Sequence, residues 1–99
     1  MDVNLNKLKS ISKKFPNKPG VYFFLRRRIR LRRRRLEDGE PLYIGRAGSL
    51  KKRIANYFSN RVDSRIREMT EQAHSLDFEI TDSVLEAIVL EANLIKKHW

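Results

Sequence analysis

The spacing of apolar residues changes several times along this chain, and each change marks an element. Leu5, Leu8 and Ile11 recur at helical spacing, with Asp2 or Asn4 as the cap, and Pro16 and Pro19 end this first short helix. Residues 20–25 are rich in β-branched and aromatic side chains, which predicts a strand with Val21, Phe23 and Leu25 on one face and Tyr22 and Phe24 on the other. Alternation from Leu42 to Ile44 predicts a second strand, with Tyr43 facing away from both neighbours. Leu50, Ile54, Tyr57 and Phe58 then fall at helical spacing behind Ser49, a suitable N-cap, and Arg53 and Tyr57 lie along one edge of that stripe. Residues 60–63 read as a connector, and a helix from about Ser64 carries Ile66, Met69 and Ala73. Leu76, Phe78 and Ile80 alternate with polar residues as a third strand, and Ser83-Val84-Leu85-Glu86 is a capping box that starts the last helix. The predicted class is α+β, a small three-stranded antiparallel sheet flanked by helices, in one domain over 1–99.

One residue breaks the pattern of the last helix. At about 100° per residue from Val84, the residues Val84, Ile95, Ile88, Ala92 and Leu85 fill one apolar arc, and Leu90, Leu94 and Ala87 fill another. Glu91 falls between them, in the middle of the predicted apolar face. A desolvated carboxylate needs a cation. Two partners are open: an ion pair with Arg53, Arg65 or Arg67, or a divalent metal completed by waters and substrate phosphate, for which magnesium or manganese suits a lone hard oxygen donor.

Charge enlarges the picture. The net charge is +10, which points to nucleic acid or another acidic surface. Eight arginines lie within residues 26–35, leaving +2 for everything else. Arg26, Arg27, Arg28, Arg30, Arg32, Arg33, Arg34 and Arg35 are therefore expected to grip a phosphate backbone without reading its sequence. The alternative is a solvated loop with no binding role. There is no cysteine, which excludes disulfides and thiolate metal sites. No signal peptide and no run of membrane-spanning length is recognisable, so a soluble, cytoplasmic monomer is expected.

The stretch Tyr43-Ile44-Gly45-Arg46 concentrates the candidate chemistry. A phenol at a strand end, a glycine that permits close approach, and Lys51 and Lys52 in the first turn of the next helix together suggest a phosphate site at that helix N-terminus. Asp38-Gly39 is a hairpin signal, but a tight turn there would set Tyr43 opposite the arginines instead of Tyr22. Mutual repulsion among the arginines favours a loop that leaves the two tyrosine strands free to pair.

Gly20-Val21-Tyr22, Tyr43-Ile44-Gly45, the downstream Arg53 with Tyr57, and Leu90-Glu91-Ala92-Asn93 resemble, in this order, the GIY-YIG nuclease domain, most of all its UvrC type. The resemblance implies magnesium-dependent hydrolysis of a DNA phosphodiester, the 3′ incision of nucleotide excision repair, with UvrB as a possible protein partner. It implies that Tyr22 and Tyr43 surround the attacking water and that one of them, with Tyr43 favoured, is the general base. A phenol of ordinary pKa ~10 does this near neutrality only when a cation lowers that value. Arg46 stands at the position of the family lysine, Arg53 at that of a phosphate-contacting arginine, Tyr57 at that of a further site tyrosine, and Glu91 at that of the metal ligand.

Three departures accompany the likeness. Arginine at 46 keeps the charge but cannot exchange a proton near neutrality. The 21 positions between Tyr22 and Tyr43 exceed the family spacing, and the excess coincides with an arginine-rich insertion at about 26–36. The family pattern also continues with a proline and an active-site asparagine that are absent here, as expected of a piece of a longer protein. Two other readings stay open: a stand-alone GIY-YIG endonuclease acting elsewhere in DNA processing, and a basic DNA-binding module without catalysis.

Overall fold

The computed structural model describes residues 3–26, 40–59 and 64–99. Its elements run α1 (Val3–Ser12), β1 (Gly20–Arg26), β2 (Glu40–Ala47), α2 (Leu50–Tyr57), α3 (Ser64–Gln72), β3 (Ser75–Ile80) and α4 (Val84–His98). This is the order expected from the apolar spacing. The strands form one antiparallel sheet in the order β2-β1-β3. β1 takes the centre because nothing between Val21 and Leu25 is charged, so both of its faces can be covered.

Each face of β1 supports its own core. Tyr22 and Phe24 point to one side, where α1 and α2 supply Leu8, Leu50, Ile54 and Tyr57 and the residue after α3 supplies Ala73. Val21 points to the other side and packs with Ile44 and with Ala87 of α4, flanked by Phe23, Leu90 and Leu94. Burying an aliphatic side chain of this size stabilises by about 1.5–3 kcal/mol, so the larger first cluster dominates folding.

Tyr22 pairs across the ladder with Gly45, Val21 with Arg46 and Phe24 with Tyr43. The tyrosine strands are thus direct partners, while the hairpin signal at Asp38-Gly39 lies outside the described residues. The register shifts once, between Phe24 and Leu25, which skips Leu42. That shift corrects the simple alternation expected for β2. Leu42 packs with the α2-side cluster and Ile44 with the α4-side cluster, so they lie on opposite faces.

Arg26 also differs from expectation. It belongs to β1, opposite Glu40, so the arginine-rich segment begins inside the sheet. Arg27, Arg28, Arg30, Arg32, Arg33, Arg34 and Arg35 lie outside the described residues, as does the connector at 60–63.

The segment between α1 and β1 is stitched to the start of α2. Leu50 and Lys51 donate their backbone N–H groups to the carbonyls of Lys18 and Pro16, each at 2.9 Å. Ser49 caps α2 by accepting from the Lys52 N–H at 3.2 Å and donates its own hydroxyl to Asn17 Oδ1 at 2.5 Å. Ser83 caps α4 similarly, accepting from the Glu86 N–H at 3.1 Å. The reciprocal bond of the box is displaced by one residue, since Glu86 Oε1 accepts from Asp82 N–H at 2.9 Å.

Candidate active site

The ladder register brings Tyr22 beneath Gly45, and the glycine is required there. A Cβ at position 45 would stand 2.5 Å from the Tyr22 hydroxyl oxygen and 2.9 Å from the Tyr43 ring. The close approach foreseen at Gly45 is therefore made by the phenol of Tyr22, inside the fold. Tyr22 is 1% exposed, yet its hydroxyl meets two polar groups. The Tyr57 hydroxyl lies 2.8 Å away, and Arg53 donates Nε–H to the Tyr22 oxygen at 3.2 Å. The Arg53 guanidinium also sits over the Tyr57 ring, 5.2 Å from its centroid. The four-residue spacing of Arg53 and Tyr57 on α2 is what lets both reach one phenol.

Burial pushes the Tyr22 phenol above the ordinary tyrosine range, although its hydrogen bonds to Tyr57 and Arg53 pull the other way. Burial also raises Tyr57, reinforced by its bond to Tyr22. The hydrogen bond to Tyr22 raises Arg53 further above its usual value, which fixes it as a cation. Tyr57 is accordingly both a core residue, at 5% exposure, and a member of this network. Tyr43 differs from the other two tyrosines. Its ring lies 6.1 Å from that of Tyr22 but is 38% exposed.

Glu91 and Arg46 form a second group. Arg46 Nη1 donates to Glu91 Oε1 at 2.6 Å, with 16% of the Glu91 side chain and 48% of the Arg46 side chain exposed. Val21, the cross-strand partner of Arg46, packs on the α4 side, so alternation along β2 turns Arg46 to that side as well. This corrects the expected partners of the carboxylate. Arg53 lies with the tyrosines on the opposite face, and the side chains of Arg65 and Arg67 lie outside the described residues.

Glu91 is also less central than the helical projection suggested. Ala87 is fully buried and Leu90 and Leu94 partly so, whereas Val84, Leu85, Ile88 and Ile95 are 39–69% exposed. The buried arc of α4 is the narrower one, and Glu91 lies at its margin. The single pocket expected for Glu91 and both phenols is therefore built as two half-sites on the two sides of β2. Gly45 and Arg46 are adjacent on that strand, and β2 is an edge strand.

The phosphate cradle expected at the start of α2 is not available. The N–H groups of Leu50, Lys51, Lys52 and Arg53 are bonded to Lys18 O, Pro16 O, Ser49 Oγ and Ser49 O respectively. Only the side chains of Lys51 and Lys52, both exposed, face outward for an anion. Among the described residues no three acidic or imidazole groups converge on a metal position. The acid present suits a cation that keeps most of its waters and takes one carboxylate, as magnesium does.

A three-stranded antiparallel sheet with a tyrosine on each of two paired strands, an arginine on the next helix and an acid on the last one defines a GIY-YIG domain. The model of the UvrC-like GIY-YIG domain matches residues 18–99, and the chain belongs to that family. Its fold is similar to the magnesium-bound GIY-YIG N-terminal endonuclease domain of UvrC from Thermotoga maritima, with a TM-score of 0.75, 32% identity, and coverage of 99% of this chain and 93% of that one. UvrABC system protein C from Rhizobium etli is 44% identical over 86 residues, 86% of this chain and 11% of the relative. The protein of the same name from Methanosarcina acetivorans is 40% identical over 85% of this chain and 14% of its own length. The chain thus spans about a seventh or less of these curated relatives. Among the described residues no helix is long and apolar enough to cross a membrane.

Proposed function

We propose that this domain is a divalent-cation-dependent DNA endonuclease of the UvrC type, making the 3′ incision of nucleotide excision repair with UvrB as a partner. The observation that carries the reading is the hydrogen-bonded set of Tyr22, Tyr57 and Arg53 packed against Gly45, beside an edge strand whose next residue holds Glu91. Glu91 would hold magnesium, or manganese in its place. The cation supplies Lewis-acid neutralisation of the phosphoryl oxygens.

Tyr43 is the general base in this reading. Tyr22 and Tyr57 are buried and keep their protons, whereas Tyr43 is open to solvent. Tyr43, acting as its phenolate, takes the proton of the attacking water as the water oxygen bonds to phosphorus, the bond to the leaving sugar oxygen breaks, and that oxygen takes a proton from solvent. Arg53, held by Tyr22 and Tyr57, and Arg46 stabilise the charge that develops on the phosphoryl oxygens. Lys51 and Lys52 hold neighbouring phosphates.

One observation favours a second reading, a module that grips DNA without cutting it. Arg46 holds the Glu91 oxygen that a cation would take. Nicking of supercoiled plasmid, measured in magnesium and in manganese, separates the two. Nicking by the wild type, lost in Glu91→Ala and Tyr43→Phe with DNA binding retained, is expected. Binding without nicking in either metal, by this chain and by a longer one that carries the downstream proline and asparagine of the family pattern, would establish the second reading, and nicking by Glu91→Ala at the wild-type rate would remove Glu91 from the site.

A further inference from the structure

Positive charge is segregated along the chain, and the fold gathers part of it into one surface for the nucleic acid. Residues 3–18 and 49–59 carry Lys7, Lys9, Lys13, Lys14, Lys18, Lys51, Lys52 and Arg53 and no acid. All eight side chains are exposed. Residues 68–99 carry seven acids, from Glu68 to Glu91, against Lys96 and Lys97.

The fold draws the basic residues together, because the α1–β1 segment is bonded to the start of α2. Lys18 and Pro16 accept the N–H groups of Leu50 and Lys51, and Asn17 accepts from Ser49. Lys13, Lys14 and Lys18 are thereby held beside Lys51 and Lys52. Arg53, on the same helix, continues that surface to the Tyr22 hydroxyl. Like charges gathered this way are unfavourable on their own and become favourable against a polyanion, whose condensed counterions are released on contact.

We infer that Lys13, Lys14 and Lys18 form a second phosphate-binding surface, on which the duplex DNA flanking the scissile phosphate lies across the joined α1–β1 segment and α2. The identity of the polyanion rests on the nuclease reading above. The position of the surface rests on the lysines and on the bonds that hold them.

The test is fluorescence anisotropy with a labelled DNA duplex in EDTA, over a series of salt concentrations. The triple variant Lys13→Ser/Lys14→Ser/Lys18→Ser is compared with Lys96→Ser/Lys97→Ser, which removes positive charge from the acidic half. In the triple variant the slope of log affinity against log salt becomes shallower by about 2 to 3 units, at about 0.9 per neutralised phosphate, and in the double variant it stays at the wild-type value. An unchanged slope in the triple variant, or equal losses in both, would overturn the inference. Because no metal is present, a wild type that binds with the expected slopes but never nicks plasmid would overturn the nuclease reading and leave this surface standing.

Discussion

Tyr22 shows how one residue can be a core aromatic and a site residue together. It is among the most buried side chains of the chain, and its hydroxyl still serves Tyr57 and Arg53. Periodicity placed Tyr22 and Tyr43 on strands and Arg53 and Tyr57 four apart on a helix, and the resemblance to the GIY-YIG family marked them as site residues. The partner of Glu91 was not legible. It depends on which side of β2 Arg46 takes, and the register shift at Leu42 hides that from a simple alternation. Burial of the phenols has a measurable consequence. Tyr22 and Tyr57 have folded pKa values raised above the unfolded value of about 10. Above that pH the unfolded chain releases protons that the folded chain retains. The stability involved is complete below about pH 10 and is lost as the pH rises beyond it. The urea midpoint of the wild type should therefore fall more steeply between about pH 9 and 11 than that of Tyr22→Phe/Tyr57→Phe. Equal slopes would mean that the phenols ionise as freely folded as unfolded.

Among the elements, α2 links the fold to the site. Its buried side supplies Leu50, Ile54 and Tyr57 to the larger core, and its exposed side carries Lys51, Lys52 and Arg53. Element order and strand pairing were readable because the periods of β1, α2 and α4 are clear and the arginines oppose a tight hairpin. The satisfied N-terminus of α2 was not readable, because its partners at Pro16 and Lys18 meet it only through tertiary folding. The width of the buried face of α4 escaped for a related reason: its apolar residues cover more of the helix than the small sheet can take. Ser49 is where local and tertiary bonding meet, since it caps Lys52 and donates to Asn17. Ser49→Ala removes both bonds and should cost about 1 to 2 kcal/mol in urea denaturation, the upper part of the range for a cap residue. A loss no larger than that of an exposed serine elsewhere would show that the α1–β1 segment is held by its backbone bonds alone.

For the whole molecule, net charge proved a poor summary. With the arginine tract set aside the remainder is only +2, which hides an acid-free pair of segments at 3–18 and 49–59 and a mainly acidic segment at 68–99. The segregation was already present in the order of residues, but it gained meaning only when the fold placed residues 13–18 against α2. Arg26, the first residue of the tract, pairs with Glu40 at the end of β1 and β2 remote from Gly20 and Ala47, and residues 27–35 lie outside the described residues. Contributions from groups that share no partner add in free energy. Replacing the arginines from Arg27 to Arg35 with serine should lower DNA affinity and flatten its salt dependence, because each phosphate left without its cation takes about 0.9 from the slope. If tract and lysines hold one duplex at the same time, combining this change with Lys13→Ser/Lys14→Ser/Lys18→Ser should flatten the slope by the sum of the two separate effects. A combined effect no greater than the larger single one would mean that the two surfaces do not act on the same duplex together. Unchanged affinity on removing the arginines alone would reduce the tract to a solvated loop and leave the lysine surface as the main electrostatic hold on DNA.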